Sequence, residues 1–432
     1  MTLTAAQAER RFVLLSGLQW LPVGLVAPVL VLLLRARGLD LPVIGAMFAL
    51  YSAVVILLEL PTGGVADVLG RRRTLLVSRV LSVCGLALMA VAADVALIAA
   101  AIVVLATSRA LQSGPLEAWF VDAVHAADPE AEVQRGISRG WAVEAVGLAI
   151  GAITGGFLPQ LFSGLAQDGL IGPFSVPFIL ASLLTLAGLL AVIAWMPEPV
   201  RVGARPSVGR VVRDVPATVA AGLRLAGRDR TIVLVLGSTL AFGFALSALE
   251  IVAPVQFAQL LGSEESASAV FGVLVTLAFL GSATGSAVAP RSAAMIGSAS
   301  RVAGLATGLI ALFFLGLAVG PPFVAVAILY VGIYMLAGIS GPLGNDILHL
   351  RVTAEQRATL LSVRSLIQQL GGLAGSLVIP ALAAVSFGLG WLAAGGLVLA
   401  GAALLLMLPR HVPRITAASV AESEVAPAAA SR

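Results

Sequence analysis

The sequence predicts an all-α integral membrane protein with twelve transmembrane helices. Of its 432 residues 59% are hydrophobic and only 11% charged, and the mean hydropathy is +1.04. Soluble domains carry roughly 25% charged residues. A spanning helix needs about 20 apolar residues, and we mark off twelve such runs. They are 12–34, 42–66, 74–93, 95–121, 140–161, 174–196, 231–254, 267–289, 302–319, 322–344, 358–383 and 387–408.

The arginines predict how the chain is oriented. All 26 basic residues are arginine. If alternate connections face the cytoplasm, 23 of the 26 fall there, Arg79 and Arg364 included. Arg35 and Arg37 fall outside, and Arg109 lies within a predicted helix. Because cytoplasmic loops retain basic residues, we expect both termini to be cytoplasmic and the protein to be multi-pass in the cell (inner) membrane.

The longest connection divides the chain into two sets of six helices. We predict an N-terminal six-helix bundle over residues 1–196 and a C-terminal one over 231–408. Residues 197–230 between them carry prolines and arginines, and form a cytoplasmic linker. Residues 409–432 are rich in Ala, Ser and Glu and are expected to be a disordered cytoplasmic tail.

Composition argues against several functional classes. Without lysine the chain has neither the lysine of an ATP-binding P-loop nor one for a Schiff base. Cys84 is the single cysteine, and His125, His349 and His411 stand far apart, so no metal-ligand spacing is present. The pI of about 10.1 follows from the cytoplasmic arginines, so no nucleic-acid partner is expected. We predict no cofactor, no metal and no enzymatic activity.

One apparent catalytic motif is rejected on the same grounds. Gly338-Ile339-Ser340-Gly341 matches the Gly-x-Ser-Gly of rhomboid intramembrane proteases. That chemistry needs a histidine on a neighbouring helix. No predicted span contains one.

A charged segment between the second and third predicted helices carries a family signature. It reads Gly63-Gly64-Val65-Ala66-Asp67-Val68-Leu69-Gly70-Arg71-Arg72-Arg73, and we interpret it as a tight loop at the membrane surface. It resembles the loop signature of the major facilitator superfamily of secondary transporters, Gly-x-Leu-Ala-Asp-Arg-x-Gly-Arg-Arg/Lys. The matching positions are Gly63, Ala66, Asp67, Gly70, Arg71 and Arg72. The resemblance implies two pseudo-symmetric six-helix bundles and alternating access.

The same resemblance implies a cytoplasmic gate. An acid near the inner end of the fourth helix, here Asp122, is expected to pair with Arg71. Asp67 is expected to face the start of the eleventh helix, where backbone N–H groups favour an anion. The stretch from Thr353 to Gln356 has the spacing of a capping box for that start.

Arg109 is the main candidate for coupling. It lies in Arg109-Ala110-Leu111-Gln112-Ser113-Gly114, which resembles the fourth-helix Arg-x-x-Gln-Gly pattern of the family with one residue inserted. The resemblance implies a role in substrate or proton coupling. A structural ion pair or a snorkelling side chain is the alternative.

The fifth helix carries a glycine-rich face. Gly147, Gly151, Gly155 and Gly156 resemble the antiporter-associated pattern Gly-x-x-x-Gly-Pro-x-x-Gly-Gly, with Ala152 replacing the proline. Small residues let helices approach closely, so a generic packing face is the alternative.

Four carboxylates within the helices are candidate proton sites, because desolvation favours reversible protonation. They are Glu59, Glu117, Glu144 and Glu250. Residues on helices that line the central cavity of the family are candidate substrate contacts, with helix packing as the alternative. These are Gln19, Trp20, Gln112, Ser247, Tyr330 and Tyr334.

We therefore expect a secondary transporter that exports a lipophilic, drug-like or multidrug-type molecule by proton antiport. Its expected partners are the substrate, the proton and the lipid bilayer, and it is expected to be a monomer. The rival within transport is a symporter importing a small polar metabolite. A non-transporting membrane receptor or scaffold is the alternative from another class.

Overall fold

The computed structural model describes residues 3–166, 170–197, 222 and 224–414, and leaves aside the side chains of residues 60–68, 354, 355 and 358. This described part contains fifteen α-helices with defined bounds, one π-helical turn and a few further helical residues at 222 and 224–227, and no strand. It also contains twelve helical stretches long and apolar enough to cross a membrane. The predicted all-α, twelve-helix fold is confirmed.

The first half of the chain forms eight helices. They are α1 (Ala5–Val26), α2 (Leu30–Ala36), α3 (Leu41–Leu69), α4 (Arg71–Val91), α5 (Val95–Gln112), α6 (Pro115–Ala127), α7 (Gln134–Leu161) and α8 (Ser175–Trp195). Helices α1 and α2 together form one span, as do α5 and α6. The α5–α6 break occurs where Gly114 takes a left-handed conformation (φ 89°) and Pro115 starts α6, a position where the missing N–H of proline costs nothing.

The second half forms seven helices and the π-helical turn Ala248–Val252. The helices are α9 (Arg230–Ser247), α10 (Ala253–Leu261), α11 (Glu264–Ile296), α12 (Ala299–Ala318), α13 (Phe323–Leu350), α14 (Ala354–Val385) and α15 (Phe387–Leu406). The π-helical turn joins α9 to α10 within one span. Such turns are often found at functional positions.

The signature segment between α3 and α4 is largely helical, so its interpretation as a loop is wrong. Helix α3 continues to Leu69 and α4 begins at Arg71, so one residue outside the helices, Gly70, makes the turn. Its φ of 99° is a conformation that glycine adopts without steric cost. A single glycine is therefore sufficient to reverse the chain here.

The chain divides into two compact units that do not coincide with its two halves. The first unit is Met1–Val215, Leu249–Phe279 and Ser376–Ala384, and the second is the remainder. Of the second-half helices, all of α10 and parts of α11 and α14 thus belong to the first unit. The predicted domain boundaries stay a prediction, because most of the linker lies outside the described residues.

The two halves repeat the same helix pairings. In the first unit α1 packs on α7 and α8, and α4 packs on α5 and α8. In the second unit α9 packs on α14 and α15, and α12 packs on α13 and α15. Helix α9 thus takes the role of α1, α12 that of α4, α14 that of α7 and α15 that of α8.

Candidate functional site

Arg109 lies against an aromatic ring rather than in an ion pair. Its guanidinium carbon is 5.4 Å from the centre of the Trp20 ring on α1. Among the described side chains, no carboxylate reaches salt-bridge distance of it. A guanidinium keeps its charge at any physiological pH, so it supplies a permanent positive charge inside the span.

One predicted carboxylate interacts with this arginine and, in turn, with a second one. Glu144 on α7 interacts with the Trp20 side chain and lies within electrostatic reach of Arg109 and of Glu117 on α6. Trp20 thus links the guanidinium to the carboxylate. Three elements of the first half, α1, α6 and α7, contribute to this arrangement together with α5.

Tyr51 extends the cluster towards the second half of the chain, and sequence reasoning missed it. The Tyr51 phenol on α3 lies within electrostatic reach of Arg109, Glu59 and Glu250. Glu250 sits in the π-helical turn, which belongs to the first unit from Leu249 onward. The clue in the sequence was a tyrosine within a predicted span of a chain that has three tyrosines.

We call Trp20, Tyr51, Arg109, Glu117, Glu144 and Glu250 the Arg109 cluster. Charged groups within electrostatic reach of one another interact through Coulomb forces. Protonating one carboxylate therefore changes the electrostatic balance around the arginine. The structure thus brings ionisable side chains from both halves of the chain into one group within the first unit.

The predicted pair at the Arg71 end of the helices is present. Arg71 Nη1 is 2.7 Å from Asp122 Oδ2 and also donates to the Ala118 carbonyl on α6. The two side chains are 19% and 32% exposed. The pair therefore joins the start of α4 to α6 at a partly solvated position. The surroundings of Gly63 and the side chain of Asp67, the other gate residues, lie outside the described set.

The neighbouring cations have structural partners. Arg72 donates to the Ile193 carbonyl at 2.8 Å and Arg11 to the Trp195 carbonyl at 2.7 Å. Both carbonyls lie in the last turn of α8, where a helix leaves such groups without partners of its own.

One of the two hydrogen bonds of the capping box predicted for the eleventh span is present. The Thr353 N–H donates to Gln356 Oε1 at 3.3 Å.

The α7 glycine face packs on two different helices. A Cβ at Gly151 or Gly155 would overlap a carbonyl oxygen of α1, that of Leu21 or Leu25. Gly147 lies against the same helix with more room. Gly156 faces α11 instead, where a Cβ would come within 3.0 Å of Gly272 Cα. These glycines allow backbone contact, as small-residue faces do in membrane helices.

Further contacts join α7 and α2 to α11 within the first unit. The Ser268 hydroxyl donates to the Gly156 carbonyl at 2.8 Å, and Thr276 donates to the Ala149 carbonyl at 3.1 Å. Arg35 Nε lies 3.4 Å from Glu264 Oε1. We call this region the Arg35 end. It holds segments from both halves of the chain in close contact.

Several predicted cavity residues are buried or make hydrogen bonds or ring contacts within the protein. Gln19 is buried and accepts a 3.0 Å hydrogen bond from Arg79 Nη2. Ser247 donates to the Gly372 carbonyl at 3.0 Å, and Tyr330 is 2% exposed and lies against Tyr334, with ring centres 5.3 Å apart. Gln112 is buried at the end of α5.

The charge count above placed Arg79 and Arg364 in cytoplasmic connections, and the structure shows that this is wrong. Arg79 lies inside α4 and is 2% exposed. Arg364 lies inside α14, where it donates to Asn345 and, at 3.5 Å, to Thr239 Oγ1. Both positions fall within the predicted spans, which was the signal to separate them from the loop arginines.

Twelve candidate spans and the repeated helix pairings define the class of a polytopic α-helical membrane protein. The family model of the Major Facilitator Superfamily matches residues 12–341. The chain therefore belongs to the Major Facilitator Superfamily. None of the curated proteins searched matches it.

Solved transporter structures share this fold at low sequence identity. A point mutant of the nucleoside transporter NupG has a TM-score of 0.75 at 15% identity, over 93% of this chain and 100% of that one. The human organic anion transporter MFSD10 (TETRAN) has a TM-score of 0.63 at 20% identity, over 93% of this chain and 99% of that one. A peptide transporter POT in complex with sulfate has a TM-score of 0.70 at 14% identity, over 93% of this chain and 94% of that one.

Proposed function

We propose that this protein is a secondary active transporter that moves a small amphipathic molecule by alternating access and couples that movement to protons. The Arg109 cluster is the single observation that carries the proposal. It places several carboxylates and one permanent cation on helices of both halves of the chain. A change of protonation there alters interactions between these helices, which is what a coupled transporter requires.

Glu250 is the carboxylate best placed to carry the proton. It lies in the π-helical turn between α9 and α10, and it interacts with Tyr51 on α3. Its side chain is exposed in this structure. A proton can therefore reach it, while its charge acts on the neighbouring helices. Glu144 and Glu117 would share this role through Arg109.

The gate is proposed at the two ends of the first unit. In the predicted orientation the Arg71 end faces the cytoplasm and the Arg35 end faces outside. The Arg35–Glu264 contact and the Gly156–Gly272 approach hold α2, α7 and α11 together. These contacts close the outer ends of those helices in this state. Opening them requires the α7–α11 contact to separate.

We propose export as the direction. The α7 glycine face resembles the pattern associated with antiporters, and the many apolar residues of the spans suit a lipophilic molecule. The second candidate is import of a small polar metabolite together with protons. Arg79 and Arg364 favour it, because charged groups within spans typically mark the path of a polar solute or ion.

Transport by inside-out membrane vesicles tests the coupling and the direction. We expect uptake of lipophilic probes such as 1-naphthoate when the vesicle interior is acidified, and at least tenfold less uptake with Glu250→Gln. Glu132→Gln, the same substitution at an exposed glutamate between α6 and α7, serves as the control. Uptake that persists after nigericin collapses the pH gradient would contradict proton coupling. Substrate and proton moving in the same direction would support the import candidate instead.

A further inference from the structure

The two halves of the chain repeat not only helix pairings but individual contacts. A Cβ at Gly151 would overlap the Leu21 carbonyl oxygen, and a Cβ at Gly371 would overlap that of Leu240. One turn later, Gly155 meets Leu25 in the same way and Gly375 meets Phe244. Position by position, α14 therefore corresponds to α7 and α9 to α1.

This correspondence assigns Arg364 the place that Glu144 occupies in the first half. Glu144 precedes Gly151 by about two turns, and Arg364 precedes Gly371 by the same interval. Glu144 interacts with Trp20, the residue before Leu21. Arg364 donates to Thr239, the residue before Leu240. The two charged side chains thus occupy equivalent positions with opposite charge.

A third helix of each half confirms the equivalence. Ser113-Gly114-Pro115-Leu116 precedes Glu117, and Ser340-Gly341-Pro342-Leu343 precedes Gly344. Glu117 lies within electrostatic reach of Glu144. A Cβ at Gly344 would lie 4.0 Å from Arg364 Nη2. The group of Trp20, Glu117 and Glu144 in the first half corresponds to Thr239, Gly344 and Arg364 in the second, which we call the Arg364 group.

The substitutions leave space beside a positive charge. Threonine and glycine replace tryptophan and glutamate, so the Arg364 group has less side-chain volume than its counterpart. The distances from a Cβ at Gly344 to Arg364 Nη2 and to Val235 Cγ1 are 4.0 Å and 3.9 Å, which are ordinary contacts. A small group can therefore approach the guanidinium from this side.

The charge of Arg364 has no carboxylate partner among the described side chains. Its contacts there are Asn345 and Thr239, both neutral acceptors. A charge inside a membrane span is costly unless it is paired or faces water. A guanidinium binds a carboxylate with two parallel hydrogen bonds. The group is therefore built to receive an anion from outside the protein.

We propose that Arg364 binds an anionic group of the transported molecule, most simply a carboxylate, which makes the substrate an amphipathic organic anion. The proposal deepens the transport function proposed above and rests on it. The Arg109 cluster then carries the protons and the Arg364 group holds the substrate charge. Export of an anion in exchange for a proton moves positive charge inward, so the membrane potential of a cell would drive it.

Binding of matched probes to the purified full-length protein tests the proposal. The probes are 1-naphthoate, 1-naphthamide and 1-naphthylmethylammonium, with 3-phenylpropionate and its amide as a second pair, measured by equilibrium dialysis. We expect each carboxylate to bind at least tenfold more tightly than its amide, and Arg364→Gln to abolish that difference. Arg357→Gln, at an exposed arginine on the same helix, should leave it unchanged.

Two further variants separate anion binding from a structural role. Asn345→Asp and Gly344→Glu each place a carboxylate beside Arg364, so both should reduce carboxylate binding at least tenfold while the melting temperature is kept or raised. Gly344→Ala should bind normally. A role of Arg364 in packing alone predicts instead that Arg364→Gln lowers the melting temperature and that the carboxylates show no preference over their amides.

Flux measurements distinguish failure of this inference from failure of the proposed function. If 1-naphthoate and 1-naphthamide bind alike, or if binding is unchanged in Arg364→Gln and Asn345→Asp, the anion site is refuted even where flux follows the pH gradient. If the carboxylate preference depends on Arg364 but flux ignores the pH gradient, the anion site stands and proton coupling fails.

Discussion

The Arg109 cluster and the Arg364 group are built on the same helix contacts but carry different chemistry. Glycines of α7 and α14 approach carbonyl groups of α1 and α9 in the same manner. The side chains two turns earlier differ in sign, Glu144 in one half and Arg364 in the other. The glycine contacts therefore belong to the architecture, and the charged positions are where the halves have specialised.

This comparison changes how the α7 glycine face is interpreted. If its counterpart in α14 makes the same contacts, the face at Gly151 and Gly155 is explained by helix packing. Gly156 is different, because it approaches Gly272 of α11 within the first unit. The export direction proposed above therefore depends on the α7–α11 contact more than on the glycine pattern as a whole.

The largest loss of stability is expected from placing bulky side chains at the glycine–carbonyl contacts that both halves share. Gly155→Val and Gly375→Val each force side-chain atoms into a carbonyl group, and overpacking costs about 1–3 kcal/mol or more. We expect both variants to lose stability strongly and to a similar extent, measured as the melting temperature in detergent. Gly308→Ala, where a Cβ would lie 3.8 Å from Ala402 Cβ, is the control. A large loss in one half only would break the proposed equivalence.

A smaller effect on stability, but a large one on function, is expected at Arg109. Arg109→Ala removes the cation from its cluster without touching the glycine contacts, so the protein should fold while pH-driven flux falls at least tenfold. Arg109→Lys should retain part of the flux because it keeps the charge. Flux in proteoliposomes and the melting temperature are the measurements. Normal flux in Arg109→Ala would remove the coupling role from this cluster.

The smallest effect on stability is expected at the Arg71–Asp122 pair. Its side chains are partly exposed, and such pairs contribute about 0–1 kcal/mol. Asp122→Asn should lower the melting temperature by a few degrees at most, yet shift the balance of states towards opening at the Arg71 end. Cysteine labelling from either face in a Cys84→Ser background measures that shift. The double variant with Arg71→Gln should add little, and full additivity would show that the two residues act separately.

Much of the fold followed from local rules. Long apolar runs between charged turns determined the helices, and the observed bounds agree closely, as with 174–196 against Ser175–Trp195. The π-helical turn at Glu250 and the helical course of residues 63–69 did not follow. Both are backbone conformations that apolar runs and short motifs do not specify.

The site was predicted less completely than the fold. Arg109 and the four acids stood out because charged residues are rare in spans. Tyr51, Arg79 and Arg364 were missed. A tyrosine is ordinary in a membrane helix, and the two arginines were counted with nearby loop arginines. Nothing in their sequence neighbourhood shows that Arg79 lies against Gln19 or that Arg364 lies against Asn345.

The sequence by itself determined that this chain crosses a membrane twelve times and carries the loop signature of its family, because hydropathy and short motifs are local properties. Only the tertiary structure decided which charges meet. It brought Glu250 and Arg109 within electrostatic reach of Tyr51, and it showed that Glu144 and Arg364 are counterparts. Those relations arise from helix packing across hundreds of residues, where backbone contact at glycines sets the register.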